Sequence, residues 1–134
     1  MSIEELEKWK KAGKLAHEAL HFGKNLIQEN SSMLDVTEEI EKYVFDNGGK
    51  LAFPTNLAIN NVGAHWTPSS KTTEVFSKGD LVKLDVGVHI DGYIGDNALT
   101  VEIGTSKYSK LVDTSREALN AAIEVLSLIH ISSP

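Results

Sequence analysis

The sequence predicts an α/β chain of the α+β kind, in which helices lead into an antiparallel sheet and a helix follows it. Three observations predict this. Apolar residues recur at helical spacing over residues 3–29 and again from about 34 to 45. From Lys50 onward the spacing turns to strand alternation and reaches a hairpin at Asp91-Gly92. Helical spacing returns over residues 110–125.

In the first helix Leu6, Trp9, Ala12, Ala16, Ala19, Leu20, Phe22, Gly23, Leu26 and Ile27 fall mostly on one side at ~100° per residue. Gly13 and Gly23 lower its propensity but permit close packing. Asn30-Ser31-Ser32 breaks the pattern, and Ser32 with Asp35 forms an N-cap signal for the second helix. That helix turns Val36, Ile40, Tyr43 and Val44 inward, and Asn47-Gly48-Gly49 stops it. Leu57-Ala58-Ile59 is a short strand, preceded by Pro54 and closed by Asn60-Asn61. Residues 68–74 read as a loop and Lys78-Gly79-Asp80 as a turn. Residues 81–90 and 93–103 then form two strands about Asp91-Gly92, a type I′ hairpin signal. The last helix carries Leu111, Val112, Ala118, Leu119, Ala122 and Val125 on its apolar side.

With 134 residues the chain is long enough for one domain with a core, not two. A net charge of −6 argues against nonspecific binding to nucleic acid or to an anionic membrane. The chain has no cysteine, which excludes disulfides and thiolate metal sites. The acidic start Met1-Ser2-Ile3-Glu4-Glu5 lacks a secretory h-region, and no apolar run approaches the ~20 residues a membrane helix needs. The expected location is the cytoplasm.

The hairpin holds the candidate chemistry. A two-residue turn pairs Ile90 with Tyr93, so Asp85 lies opposite Ala98 and Asp96 opposite Gly87. Asp85 and Asp96 then share a face as diagonal neighbours, roughly 7–8 Å apart at Cα. Gly87 and Ala98 are small and leave room beside them. Val82, Leu84, Val86, Leu99 and Val101 point to the other face, which reads as core. Two such carboxylates repel unless a cation compensates them, and divalent metals suit carboxylate oxygen. On spacing alone, the commoner reading puts both on the solvated side of a half-buried hairpin. His65, taken alone, reads as an ordinary loop histidine, and Phe53 as a core aromatic.

Three stretches together resemble the methionine aminopeptidases of type II, the archaeal and eukaryotic kind. They are Ala52-Phe53-Pro54-Thr55-Asn56, then Asn60-Asn61-Val62-Gly63-Ala64-His65-Trp66-Thr67-Pro68, then Lys83-Leu84-Asp85-Val86-Gly87 continuing to Gly95-Asp96-Asn97-Ala98-Leu99-Thr100-Val101. The steps of eleven residues from Asp85 to Asp96 and of twenty from His65 to Asp85 match that family as well. The resemblance implies the first half of a pita-bread fold, a curved antiparallel sheet with covering helices. It implies two divalent metal ions, cobalt, manganese, iron or zinc, with Asp85 chelating one and Asp96 bridging both. It implies that His65 hydrogen-bonds the substrate and that Phe53 lines the pocket for the methionine side chain. The substrates would be nascent polypeptides with an N-terminal methionine, without nucleic acid or membrane partners.

The family also uses a histidine and two glutamates from its second half, so this chain is expected to be inactive alone. The intact protein is expected to be a monomer, whereas the chain alone is expected to self-associate through an uncovered edge and apolar face. Two alternatives stay open. One is a pita-bread peptidase of another specificity, a prolidase or Xaa-Pro aminopeptidase; the other is a non-enzymatic interaction protein of the same fold. Residues 1–125 form the expected catalytic half-domain. Residues 126–134 are expected to be a non-native tail, because residues 126–132 resemble the translation of a transposon-end adapter; a natural helix extension is the alternative.

One further motif stands apart. His17-Glu18-Ala19-Leu20-His21 matches the H-E-x-x-H pattern of zinc peptidases. The helical wheel places both histidines away from the apolar side, on the solvated face, which argues against a zinc peptidase centre. His89 shares the face of Asp85 and reads as a surface histidine with a helper role open to it.

Overall fold

A computed structural model describes residues 2–132, with side chains described as far as residue 126. The expectation that residues 126–134 are non-native therefore falls, save for Leu126, outside the described side chains. The chain forms two units that meet between Gly104 and Thr105. The second contains α3 (Ser109–Ser132), which runs past the expected end at Val125. Leu111, Leu119, Ile123 and Val125 on this helix are exposed. Among the described residues no helix is long and apolar enough to cross a membrane.

In the first unit, α1 (Ile3–Leu26) and α2 (Met33–Asp46) precede the sheet. Ser2 opens α1 with a full capping box: its side chain accepts from Glu5 N–H at 3.1 Å, and its own N–H donates to Glu5 Oε2 at 2.6 Å. Ser32 caps α2 by accepting from Asp35 N–H at 3.2 Å, as the sequence predicts. Along α1 the buried residues are Ala12, Leu15, Ala16, Ala19, Leu20 and Gly23. Leu6 and Trp9, expected inward, are exposed instead. They lie near the helix start, where Trp9 meets the edge of Tyr93, with ring centres 6.3 Å apart.

The sheet is built around β3 (Leu81–Ile90). On one side β4 (Tyr93–Glu102) pairs along its whole length, with Asp85 opposite Ala98 and Asp96 opposite Gly87. Positive φ angles at Asp91 (51°) and Gly92 (89°) give the expected type I′ turn. Along the other edge lie β1 (Lys50–Leu51) and β2 (Asn56–Ile59), end to end and antiparallel to β3. Leu51 faces Val88, three positions from Asp85 on β3, yet Asn56, which faces Asp85, is five positions from Leu51. The surplus residues bulge off the sheet between β1 and β2.

Val82, Leu84, Val86 and Val88 of β3 are fully buried and pack with Leu15, Ala19, Ile40 and Val44 of the helices. Gly23 permits close packing at the α1–α2 crossing, where a Cβ would stand 2.5 Å from Ile40 Cδ1 and force that side chain to shift. Gly95 has the same function where α1 crosses β4: a Cβ would stand 2.6 Å from the backbone of Ala12 and Gly13. The helices thus close one face of the β3–β4 ribbon, and Asp85 and Asp96 project from the other.

Candidate metal centre

The bulge before β2 builds the apolar wall of the site. Ala52 N–H donates to Gly87 C=O at 2.9 Å, and Thr55 N–H donates to Glu41 Oε1 of α2 at 3.1 Å. Phe53, held between these ties, lays its ring over Gly87, where a Cβ would collide with it. The room expected beside Asp96 at Gly87 is therefore filled by an aromatic ring. That ring, with Pro54, Asn56, His65, Thr67, Asp85 and Asp96, lines a pocket of about 430 Å³.

The loop that brings in His65 is fastened at both ends. Asn60, at φ 53°, donates from Nδ2 to Asp80 Oδ1 and accepts from Leu81 N–H, both at 2.9 Å. Its carbonyl accepts from Lys83 Nζ at 2.7 Å. At the far end Trp66 C=O accepts from Leu57 N–H at 2.8 Å, and the indole packs against the core. His65 between these ties has φ 59°, a left-handed conformation uncommon for a residue with a Cβ. It is exposed at the pocket wall.

Asp85 is the electrostatic centre of the pocket. Burial raises its carboxyl above the ordinary carboxylate range; the charge of Asp96 and a hydrogen bond with it add to the rise, and His65 opposes it. Its Oδ1 is buried and has no hydrogen-bond partner. A buried carboxylate oxygen with an open lone pair, next to a second carboxylate, is a donor set suited to a divalent cation. Among the described residues no group of three or more His, Asp or Glu converges on a metal position. Asp85 and Asp96 are the carboxylates of this pocket that could hold a divalent cation, and the open lone pair of Asp85 Oδ1 fits that group.

All four residues singled out from the sequence, Phe53, His65, Asp85 and Asp96, line this one pocket. Asn56 and Thr67 line it too and were not singled out. Asn56 Nδ2 donates to Pro54 C=O at 3.2 Å, and Thr67 Oγ1 reaches Asn56 Oδ1 at 3.4 Å. Their signal is the pairing of Asn56 with Asp85 across β2 and β3, which hydrophobic patterning does not reveal. His89 lies outside the pocket; its Nδ1 accepts from Gly92 N–H at 3.1 Å and steadies the hairpin turn.

A helix-backed antiparallel sheet with paired aspartates on its open face is the arrangement of a pita-bread metallopeptidase. Residues 7–128 match the sequence profile of Metallopeptidase family M24, and the chain belongs to that family. A methionine aminopeptidase of Archaeoglobus fulgidus is 43% identical over 126 residues, which is 94% of this chain and 43% of that protein. One from Pyrococcus horikoshii is 41% identical over 121 residues, 90% of this chain and 41% of that protein. Among solved structures, methionine aminopeptidase from Thermotoga maritima superposes with a TM-score of 0.82 at 31% identity, covering 92% of this chain and 53% of that one. Prolidase from Pyrococcus furiosus superposes at 0.67 with 28% identity, covering 75% of this chain and 31% of that one. The chain spans about two-fifths of the length of the curated relatives it matches.

Proposed function

We propose that this chain supplies half of the active site of an enzyme that removes N-terminal methionine from nascent polypeptides. The observation that carries the reading is Asp85 Oδ1, buried and unpartnered beside Asp96, in a pocket walled by Phe53 and His65. Asp85 and Asp96 would hold divalent metal, two ions by the family resemblance. When bound, such ions supply a water nucleophile at neutral pH and polarise the scissile carbonyl.

The remaining roles belong to side chains of this unit. The Phe53 ring offers an apolar surface for an unbranched thioether side chain, which favours methionine over a polar first residue. The His65 imidazole, at the exposed wall, would donate a hydrogen bond to the substrate carbonyl or the oxyanion that grows from it. Asn56 and Thr67, linked by a hydrogen bond, line the same pocket. The chain alone is proposed to be inactive, because two aspartates leave most of a metal's coordination positions without protein ligands.

The test is methionine release from a Met-Ala-Ser peptide with added divalent metal, by the complete gene product and by its Asp96→Ala variant. Release by the unsubstituted protein alone supports the reading. A folded protein that leaves Met-Ala-Ser intact and cleaves an Xaa-Pro peptide would replace it with the prolidase reading. Activity of the 134-residue chain by itself would overturn the half-site proposal.

A further inference from the structure

We propose that His17 and His21 form a second metal site, a two-imidazole chelate for a borderline divalent cation such as copper, nickel or zinc. The two rings sit one helical turn apart on the outer face of α1, with centres 4.4 Å apart and planes at 64°. A metal held by one nitrogen of each ring at about 2.0–2.1 Å leaves the ring centres roughly 5 Å apart, close to the separation the two rings already have. Both histidines are exposed, leaving room for water at the remaining coordination positions.

The helix beneath them is fixed. Ala16, Ala19 and Leu20, interleaved with the pair, are buried against the sheet and the second helix. Chelation therefore requires rearranging two surface side chains on a packed helix and no change of fold. Between them, Glu18 lies 3.7 Å from Lys14, which offsets the positive charge that Lys14 would bring near a cation.

This site is separate from the aspartate pair in place and in chemistry. The helix lies on the closed face of the β3–β4 ribbon, and Asp85 and Asp96 project from the open face. Imidazole donors favour copper, nickel and zinc, whereas a carboxylate pair also accepts magnesium, manganese and calcium. No hydrolytic role follows from the site, because no third protein ligand joins the pair among the described residues.

The experiment is a copper titration of the full chain carrying Asp85→Asn and Asp96→Asn. The expected result is one saturable equivalent whose electron paramagnetic resonance shows imidazole nitrogen donors, displaced by zinc and not by magnesium. His17→Gln or His21→Gln should abolish it, and His89→Gln should leave it. Far-UV circular dichroism of each variant should match the parent. In the same background, substoichiometric copper should broaden the imidazole proton resonances of His17 and His21 before those of His65 and His89, a readout that needs no histidine substitution. Survival of the nitrogen-ligated equivalent in His17→Gln/His21→Gln, or earlier broadening at His65 or His89, would overturn the proposal.

Discussion

Phe53 rests its ring directly on the backbone of Gly87, filling the space that any side chain on that strand position would occupy. The pocket wall and the strand are therefore packed to a fixed thickness. Gly87→Ala should force the ring outward and lower stability by about 1–3 kcal/mol, as overpacking does. Thermal melts of the metal-free chain check this. In the complete protein the same change should raise KM for methionyl peptides, and an unchanged melt and KM would show that the ring has other places to go.

The metal-free carboxylate pair should make the chain more stable in mild acid than at neutral pH. The Asp85 carboxyl is raised above its ordinary value of 3.8 by burial first and by Asp96 second. Between that ordinary value and the raised one, the folded chain holds a proton the unfolded chain has lost, so stability falls as pH rises through this window. Above the raised value the loss is complete. Asp85→Asn should raise the melting temperature at pH 7 and flatten this dependence, while abolishing stabilisation by added manganese. A variant that melts lower than the parent at pH 7 would mean that burial of the charge is already compensated.

At His65 the choice of substitution matters. A left-handed conformation costs residues other than glycine and asparagine roughly 1–2 kcal/mol, and His65 has φ 59°. His65→Asn and His65→Gly should melt higher than His65→Ala, although all three lack the imidazole. All three should lose methionine release in the complete protein. Equal melting of the three would show that the loop relaxes when the ring is removed.

Two glycines at the helix–strand contact should respond in opposite directions. A Cβ on Gly95 would meet the Ala12 and Gly13 backbone at 2.6 Å, and that backbone has no flexible end to move aside. A Cβ on Gly13 would meet nothing within 4 Å. Gly13→Ala should therefore stabilise by roughly 0.5–1 kcal/mol through helix propensity. Gly95→Ala should destabilise by about 1–3 kcal/mol or unfold the chain. Denaturant titrations of the two variants measure the contrast.

The hairpin was legible in the sequence because Asp91-Gly92 sets its register, and the register alone puts Asp85 and Asp96 on a common face. The helices were legible through their caps and apolar spacing, with errors at the start of α1, where Leu6 and Trp9 have little beneath them, and at Leu15, a buried residue that was not singled out. Asn56 and Thr67 were not singled out because their place depends on pairing between strands distant in the chain. The seating of Phe53 on Gly87 depends on a bulge whose length no local pattern announces. Aspartate spacing alone favours an ordinary solvated face; the three family-like stretches and the buried, unpartnered Oδ1 of Asp85 are what support a metal pair.

The alternation of β3 has a consequence for how its mutations would be inherited. Val82, Leu84, Val86 and Val88 are sealed in the core, whereas Asp85 between them lines the pocket. A saturation library at these five positions should separate Asp85 from the four valine and leucine positions when abundance and methionine release are scored separately in the complete protein. Even-numbered changes should deplete both scores together. Changes at Asp85 should spare or increase abundance while removing activity, so the two selective pressures act on alternate codons of a single short segment.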